Sequence, residues 1–107
     1  MGTYAKNPML SSRYAQLSEP GRRMYIEFLG IPRERAGISE IELDAATLGQ
    51  ALTGAATRLP SLRDLLQGDR LHPSIAANLN GDQFVCDPAT PLAPGDRLLL
   101  LSADVGG

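Results

Sequence analysis

The chain ends in Gly106-Gly107, and this pair carries its most unusual chemical possibility. Two residues without side chains can enter a narrow cleft and adopt dihedral angles closed to other residues. They present a bare α-carboxylate. With a pKa of about 3.3–3.7 that group is an anion at neutral pH and a poor electrophile. It becomes reactive only when activated, for example as an acyl-adenylate formed with ATP, from which a nucleophile displaces AMP. The sequence has neither a P-loop nor a dinucleotide-type glycine motif. Activation is therefore expected from a partner enzyme, and the chain itself is not expected to be an enzyme.

Other reactive side chains are sparse. His72 is the one histidine and Cys86 the one cysteine. A His72–Cys86 dyad is one reading; a loop histidine before Pro73 and a small packing thiol are the plainer one. A single thiol forms neither an internal disulfide nor a multi-cysteine metal site. Asp82, Asp87 and Asp96 lie close in sequence, but Asp82 and Asp96 sit where turn chemistry favours aspartate. Arg33-Glu34-Arg35 reads as a solvated turn, with partner docking as the alternative.

The elements that position the terminus follow from periodicity. Met24, Ile26 and Phe28 alternate with Tyr25, Glu27 and Leu29, a strand pattern. Gly30, Ile31 and Pro32 break it. The stretch 33–37 reads as a charged turn closed by Gly37, so that Glu40 to Leu43 returns as the second strand of a hairpin. Thr47 and Gln50 form a capping box, and Leu48, Ala51, Leu52, Ala55, Ala56 and Leu59 fall on one helical face. Pro60 stops that helix. A second short helix carries Leu62, Leu65 and Leu66 and ends at Gly68. Ile75 to Leu79 reads as a strand, Asn80-Gly81 as a tight turn and Phe84-Val85-Cys86 as the returning strand. Residues 87–94, with three prolines, cross irregularly to the turn Pro94-Gly95-Asp96, which launches Arg97 to Ser102.

The order β-β-α-(short α)-β-β-β predicts an α+β roll: a mixed sheet of four to five strands with one main helix across one face. The last strand departs from simple alternation. Leu98, Leu99, Leu100 and Leu101 are apolar on both faces, so either both faces are covered within the domain or one waits for a partner. Residues 102–107, if extended, reach about 20 Å beyond the sheet.

Composition narrows the function classes. The chain has 107 residues, 43% apolar and 21% charged, with a formal net charge of −2, which fits one small domain. No like-charge block marks a nucleic-acid or anionic-membrane site. No apolar run approaches the roughly 20 residues of a membrane helix. Residues 1–22 lack a signal core, and Lys6 stands where a myristoylation motif wants Ser or Thr. A cytoplasmic protein is expected. Residues 1–23 read as a flexible extension, with Leu10, Tyr14 and Leu17 spaced for a short helix as the alternative, and residues 24–107 as the domain. Nine basic residues are arginine, and Lys6 is the one lysine.

These features together resemble the small sulfur carriers of the MoaD/ThiS family, typified by the molybdopterin synthase small subunit and the thiamine-pathway carrier. The resemblance covers about Met24 to Gly107. It rests on Tyr25-Ile26-Glu27-Phe28-Leu29, the 33–37 stretch, Thr47-Leu48, Asn80, Leu92 with Pro94-Gly95-Asp96, and Gly106-Gly107. It implies a ubiquitin-like β-grasp fold and no cofactor of the chain's own, ATP being used by the activating enzyme. In such proteins an E1-like adenylating enzyme acts on the terminal glycine, here Gly107. A sulfur donor (cysteine desulfurase or rhodanese-type persulfide) then gives a thiocarboxylate, which a sulfur-accepting synthase consumes. Counting back from the end assigns docking to Leu99 and Leu101, with Asp104 and Val105 in the partner's cleft, and leaves Leu98 and Leu100 for the core. Ser102-Ala103-Asp104 departs from the prolines that many molybdopterin-type carriers place before the tail, and the leader is atypical. Two other classes stand beside this one: a ubiquitin-like modifier joined to lysines of target proteins, and a pure binding module in which the two glycines are incidental.

Overall fold

The computed structural model describes residues 23–103. The proposed leader helix through Leu10, Tyr14 and Leu17 lies outside them, as do Asp104, Val105, Gly106 and Gly107.

Alternation writes the first strand. In β1 (Arg23–Phe28) Met24, Ile26 and Phe28 are buried, while Arg23, Tyr25 and Glu27 stay half-exposed. It pairs antiparallel with β2 (Glu40–Asp44), whose Ile41 joins the core.

The connection between them is a helix, not the charged turn expected at 33–37, so the pair is not joined by a tight hairpin turn. Helix α1 spans Ile31–Ala36, with Gly37 left-handed at its C-cap. Pro32, a strand-breaker, sits in its first turn, where proline's fixed φ suits a helix and its missing N–H costs no bond. Gly30, at the N-cap, has no side chain to announce a start.

The main helix, α2 (Leu48–Arg58), forms as its pattern dictates. Thr47 Oγ1 accepts from the Gln50 N–H at 3.2 Å, and Gln50 Oε1 accepts from the Ala46 N–H at 2.8 Å. The reciprocal bond thus lands one residue before the usual capping-box position. The 87–94 crossing completes this helix start. Leu48 and Gly49 donate their N–H groups to the carbonyls of Thr90 and Pro88, each at 2.9 Å, so first-turn donors that a helix leaves unpaired are satisfied by a loop. After a 3₁₀ turn (Pro60–Leu62) comes α3 (Arg63–Leu66), and Leu62, Leu65 and Leu66 point inward.

Strand β3 (Ile75–Leu79) turns through Asn80 and Gly81, at φ of 58° and 74°, into β4 (Gln83–Val85). Two consecutive left-handed residues are what a type I′ turn requires. Cys86, expected at the end of β4, falls just past it. Finally β5 (Arg97–Ser102) runs through the centre.

The sheet order is β2-β1-β5-β3-β4. Strand β5 lies parallel to β1, with Ile26 opposite Leu98 and Phe28 opposite Leu100, and antiparallel to β3, with Ala77 opposite Leu100. The helices cover one face. Met24, Ile26, Phe28, Leu52, Ala55, Leu66, Leu98 and Leu100 belong to a single buried cluster between sheet and helices. The α+β expectation of a mixed sheet with a crossing helix therefore holds, with five strands.

Candidate functional site

The last strand is pinned at both ends by polar side chains. At its start, Asn80 Nδ2 donates to Asp96 Oδ1 at 3.0 Å, and Asn80 Oδ1 accepts from the Arg97 N–H at 2.9 Å. Asp96 Oδ2 in turn accepts from the Ala93 N–H at 2.8 Å. The Pro94-Gly95-Asp96 turn is thereby tied to the β3–β4 turn, which explains physically why Asn80 and Asp96 occur together. At its end, the buried Ser102 Oγ accepts from the Ile31 N–H at 2.9 Å. No local sequence pattern signals this bond, because its partners stand 71 residues apart.

Between the pins the four leucines divide by face. Leu98 and Leu100 are fully buried, whereas Leu99 and Leu101 remain half-exposed on the face that no helix among the described residues covers. The core assignment of Leu98 and Leu100 is thus what the structure has.

The open face is segregated. Toward the start of β5 it is charged: Arg97 lies 4.8 Å from the Tyr25 ring centroid and forms ion pairs with Glu27 at 3.0 Å and Glu40 at 3.1 Å. Leu99 marks the boundary, opposite Glu27 on β1, and beyond it, toward the end of β5, the face becomes apolar. Leu101 is opposite Ala76, Leu99 is opposite Asn78, and Asn78 is opposite Phe84 on the edge strand. Phe84 is 67% exposed. Leu29 and Ile38, both exposed, flank the same end, and the Leu29 N–H donates to the Leu100 carbonyl at 2.9 Å. An apolar patch thus sits where the C-terminal segment leaves the sheet.

The remaining candidates find structural roles. His72 Nδ1 accepts from the Ser74 N–H at 3.0 Å and lies 2.9 Å from Ser74 Oγ. Cys86 is exposed, and among the described residues no hydrogen bond joins it to His72. Asp87 Oδ1 accepts from the Ala89 N–H, and the Asp82 N–H closes the β3–β4 turn on the Leu79 carbonyl. Among the described residues no group of three or more His, Cys, Asp or Glu could hold a metal ion, and no helix is long and apolar enough to cross a membrane. Two hollows, of about 470 and 430 Å³, are lined by one carboxylate each, Asp69 and Asp44, and by neither His72 nor Cys86. Arg35, expected on a solvated turn, reaches from α1 to both Asp64 carboxylate oxygens in α3 at 2.6 Å. That bond holds the exposed Asp64 carboxyl below its usual pKa.

The arrangement of five strands and one crossing helix, with a central last strand parallel to the first, has counterparts among solved structures. SAMP1 of Haloferax volcanii is similar at 26% identity with a TM-score of 0.68, over 79% of this chain and 99% of that one. The fold is the ubiquitin-like β-grasp. Another β-grasp match is a chain of the BexX/CysO complex of Amycolatopsis orientalis, at 24% identity and a TM-score of 0.65 over 78% and 99% of the two chains. A chain from the complex of subunits 1 and 2 of molybdopterin-converting factor from Helicobacter pylori matches at 24% and 0.56, over 79% and 99%. The resemblance to MoaD/ThiS-type proteins read from the sequence is consistent with these ubiquitin-like neighbours. No protein-family model matches the sequence, and neither does any curated protein.

Proposed function

We propose that the chain is a sulfur carrier whose C-terminal carboxylate, on Gly107, is the working group. The observation that carries this reading is the placement of the apolar patch. Leu99, Leu101, Ala76 and Leu29 lie on the open face at the end of β5, so a protein docked there sits beside the departing C-terminal segment. Leu99 and Leu101 are the docking residues, and Asp104 and Val105 lead Gly106 and Gly107 into the partner's cleft.

In the proposed sequence, an E1-like adenylating enzyme joins the Gly107 carboxylate to the α-phosphate of ATP and releases pyrophosphate. A hydrosulfide equivalent, freed by a thiol reductant from the persulfide of a cysteine desulfurase or rhodanese-type donor, displaces AMP. The resulting thiocarboxylate gives its sulfur to a substrate held by a synthase. The chain needs no cofactor for this, since its part is to be held and to present one carboxylate. The complexes named for CysO and for molybdopterin-converting factor support the expectation of a partner protein.

A second reading has one specific observation in its favour: the similar Haloferax volcanii protein is called a modifier. In that case the activated glycine would go to a lysine amine on another protein. Residues 23–103 contain no lysine, so chains could not be built through lysines of the described fold.

Intact-mass spectrometry of protein from its own host separates the two. A carrier should show the replacement of one terminal oxygen by sulfur, and a modifier should appear in branched conjugates. Deleting Gly106 and Gly107 should abolish AMP-forming activation and leave the melting temperature unchanged. Sulfur transfer that survives this deletion would sink the carrier reading.

A further inference from the structure

We infer that Ser102 is a positioning residue that fixes where and in what direction the C-terminal segment leaves the fold. The inference rests on the carrier reading for its functional half only.

Strand β5 outruns its parallel neighbour. The β1–β5 pairing ends at Phe28 opposite Leu100, and after Leu29 the chain turns away at Gly30 into α1. From there, among the described residues, β5 has a strand on one side only, β3, where Ser102 is opposite Ile75. An end held on one side frays readily. Ser102 replaces the missing strand. It occupies the core-facing position that follows Leu98 and Leu100, it is 5% exposed, and its hydroxyl takes the Ile31 N–H at 2.9 Å.

The fit around this oxygen is close. A Cβ on Gly30 would stand 2.5 Å from Ser102 Oγ, and Gly30 has a φ of +66°. Any side chain there would both strain the backbone and displace the hydroxyl. The bond also serves α1: the Ile31 N–H is one of the donors a helix start leaves unpaired, and Gly30 offers no side chain to take it. One residue further on, the Ala103 N–H donates to the Ser74 carbonyl at 2.7 Å. Ser74 is itself held by its N–H bond to His72 Nδ1. The root of the segment, through Ala103, is therefore clamped from α1 through a side chain and from the β3 side through the backbone.

A clamped root delivers the terminus from a fixed point beside the apolar patch. Without the clamp, the enzyme must order extra residues on each encounter, and that cost falls on binding. Loss of the clamp should therefore raise the carrier's KM for adenylation and leave kcat nearly unchanged.

The test uses the full chain and Ser102→Ala, with amide hydrogen exchange and pyrophosphate exchange by the E1-like enzyme of the same host. Exchange at Ile31 and Ala103 should quicken by about tenfold or more, while Ile26 and Leu98 keep their protection, since local opening is separable from global unfolding. KM should rise by roughly three- to tenfold with kcat held within about twofold. Gly30→Ala, which drives a methyl into the same oxygen, should give the same pattern. Unchanged exchange at Ala103 would reduce Ser102 to a helix cap and overturn the inference. A uniform rise at all four amides would do the same by showing a merely global role. Loosened amides with unmoved kinetics would overturn the positioning role. If the wild-type chain is not adenylated at all, the carrier reading falls, and the amide pattern still decides whether the clamp exists.

Discussion

The two faces of β5 carry the same residue and do different work. Leu98 and Leu100 are sealed between sheet and helices; Leu99 and Leu101, each one position along, line the open face. Residue type therefore does not decide the role here; register does. A slip of one residue would exchange the pairs, and four consecutive leucines offer hydrophobicity no means of resisting it. Resistance comes from polar side chains at the two ends, Asn80 with Asp96 at one and Ser102 at the other.

Truncating the sealed pair tests the contrast most severely. Leu98→Ala or Leu100→Ala should each cost about 2–5 kcal/mol, as buried leucine truncations do, and denaturant melts would show it. The open-face pair should behave in the opposite way. Leu99→Asp or Leu101→Asp should change stability by less than about 1 kcal/mol yet abolish capture of the activating enzyme, where an unpaired charge would be buried. If these aspartates unfold the protein while the alanines at Leu98 and Leu100 are tolerated, the faces have been assigned backwards.

The smallest effect is expected at the exposed Arg35–Asp64 pair between α1 and α3. The Arg35 bond lowers the Asp64 pKa in the folded state. The carboxylate form is thus favoured by folding, and its stabilisation is present above the unfolded pKa of about 3.9 and lost as pH falls through the lower folded value. Asp64→Asn should reduce the melting temperature slightly at pH 6, with a difference that shrinks toward pH 2 and at high salt. A difference that persists at pH 2 would assign the loss to packing and not to charge.

Much of this was legible from the chain alone, and the exceptions have causes. Alternation located β1 and β2, because each has one face against the core, whereas β5 was located by its unbroken apolar run after the Pro94-Gly95-Asp96 turn. Capping chemistry located α2 because Thr47 and Gln50 act within a few residues of each other. Helix α1 was not legible: its opening reads as Gly-Ile-Pro, and the hydroxyl that completes its start is supplied by Ser102. The segregation of the open face was likewise hidden, since Leu29 and Ala76 come beside the end of β5, and Phe84 across β3 from Leu99, only through the sheet order. For the terminus the sequence remains the source, since residues 104–107 lie beyond the described fold.

The position of β5 has a consequence for synthesis. On one side stands the β1–β2 pair and on the other β3–β4, and among the described residues no strand but β5 joins the two. Its pairing of Ile26 with Leu98 closes a loop of most of the domain's length, the kind of contact that slows folding. Of the five described strands, a ribosome delivers this one last. Until Arg97–Ser102 emerges, the nascent chain holds two half-sheets with their inner edges unpaired. The five-stranded sheet therefore cannot close until that strand is available, and its closure waits on the whole of residues 23–102.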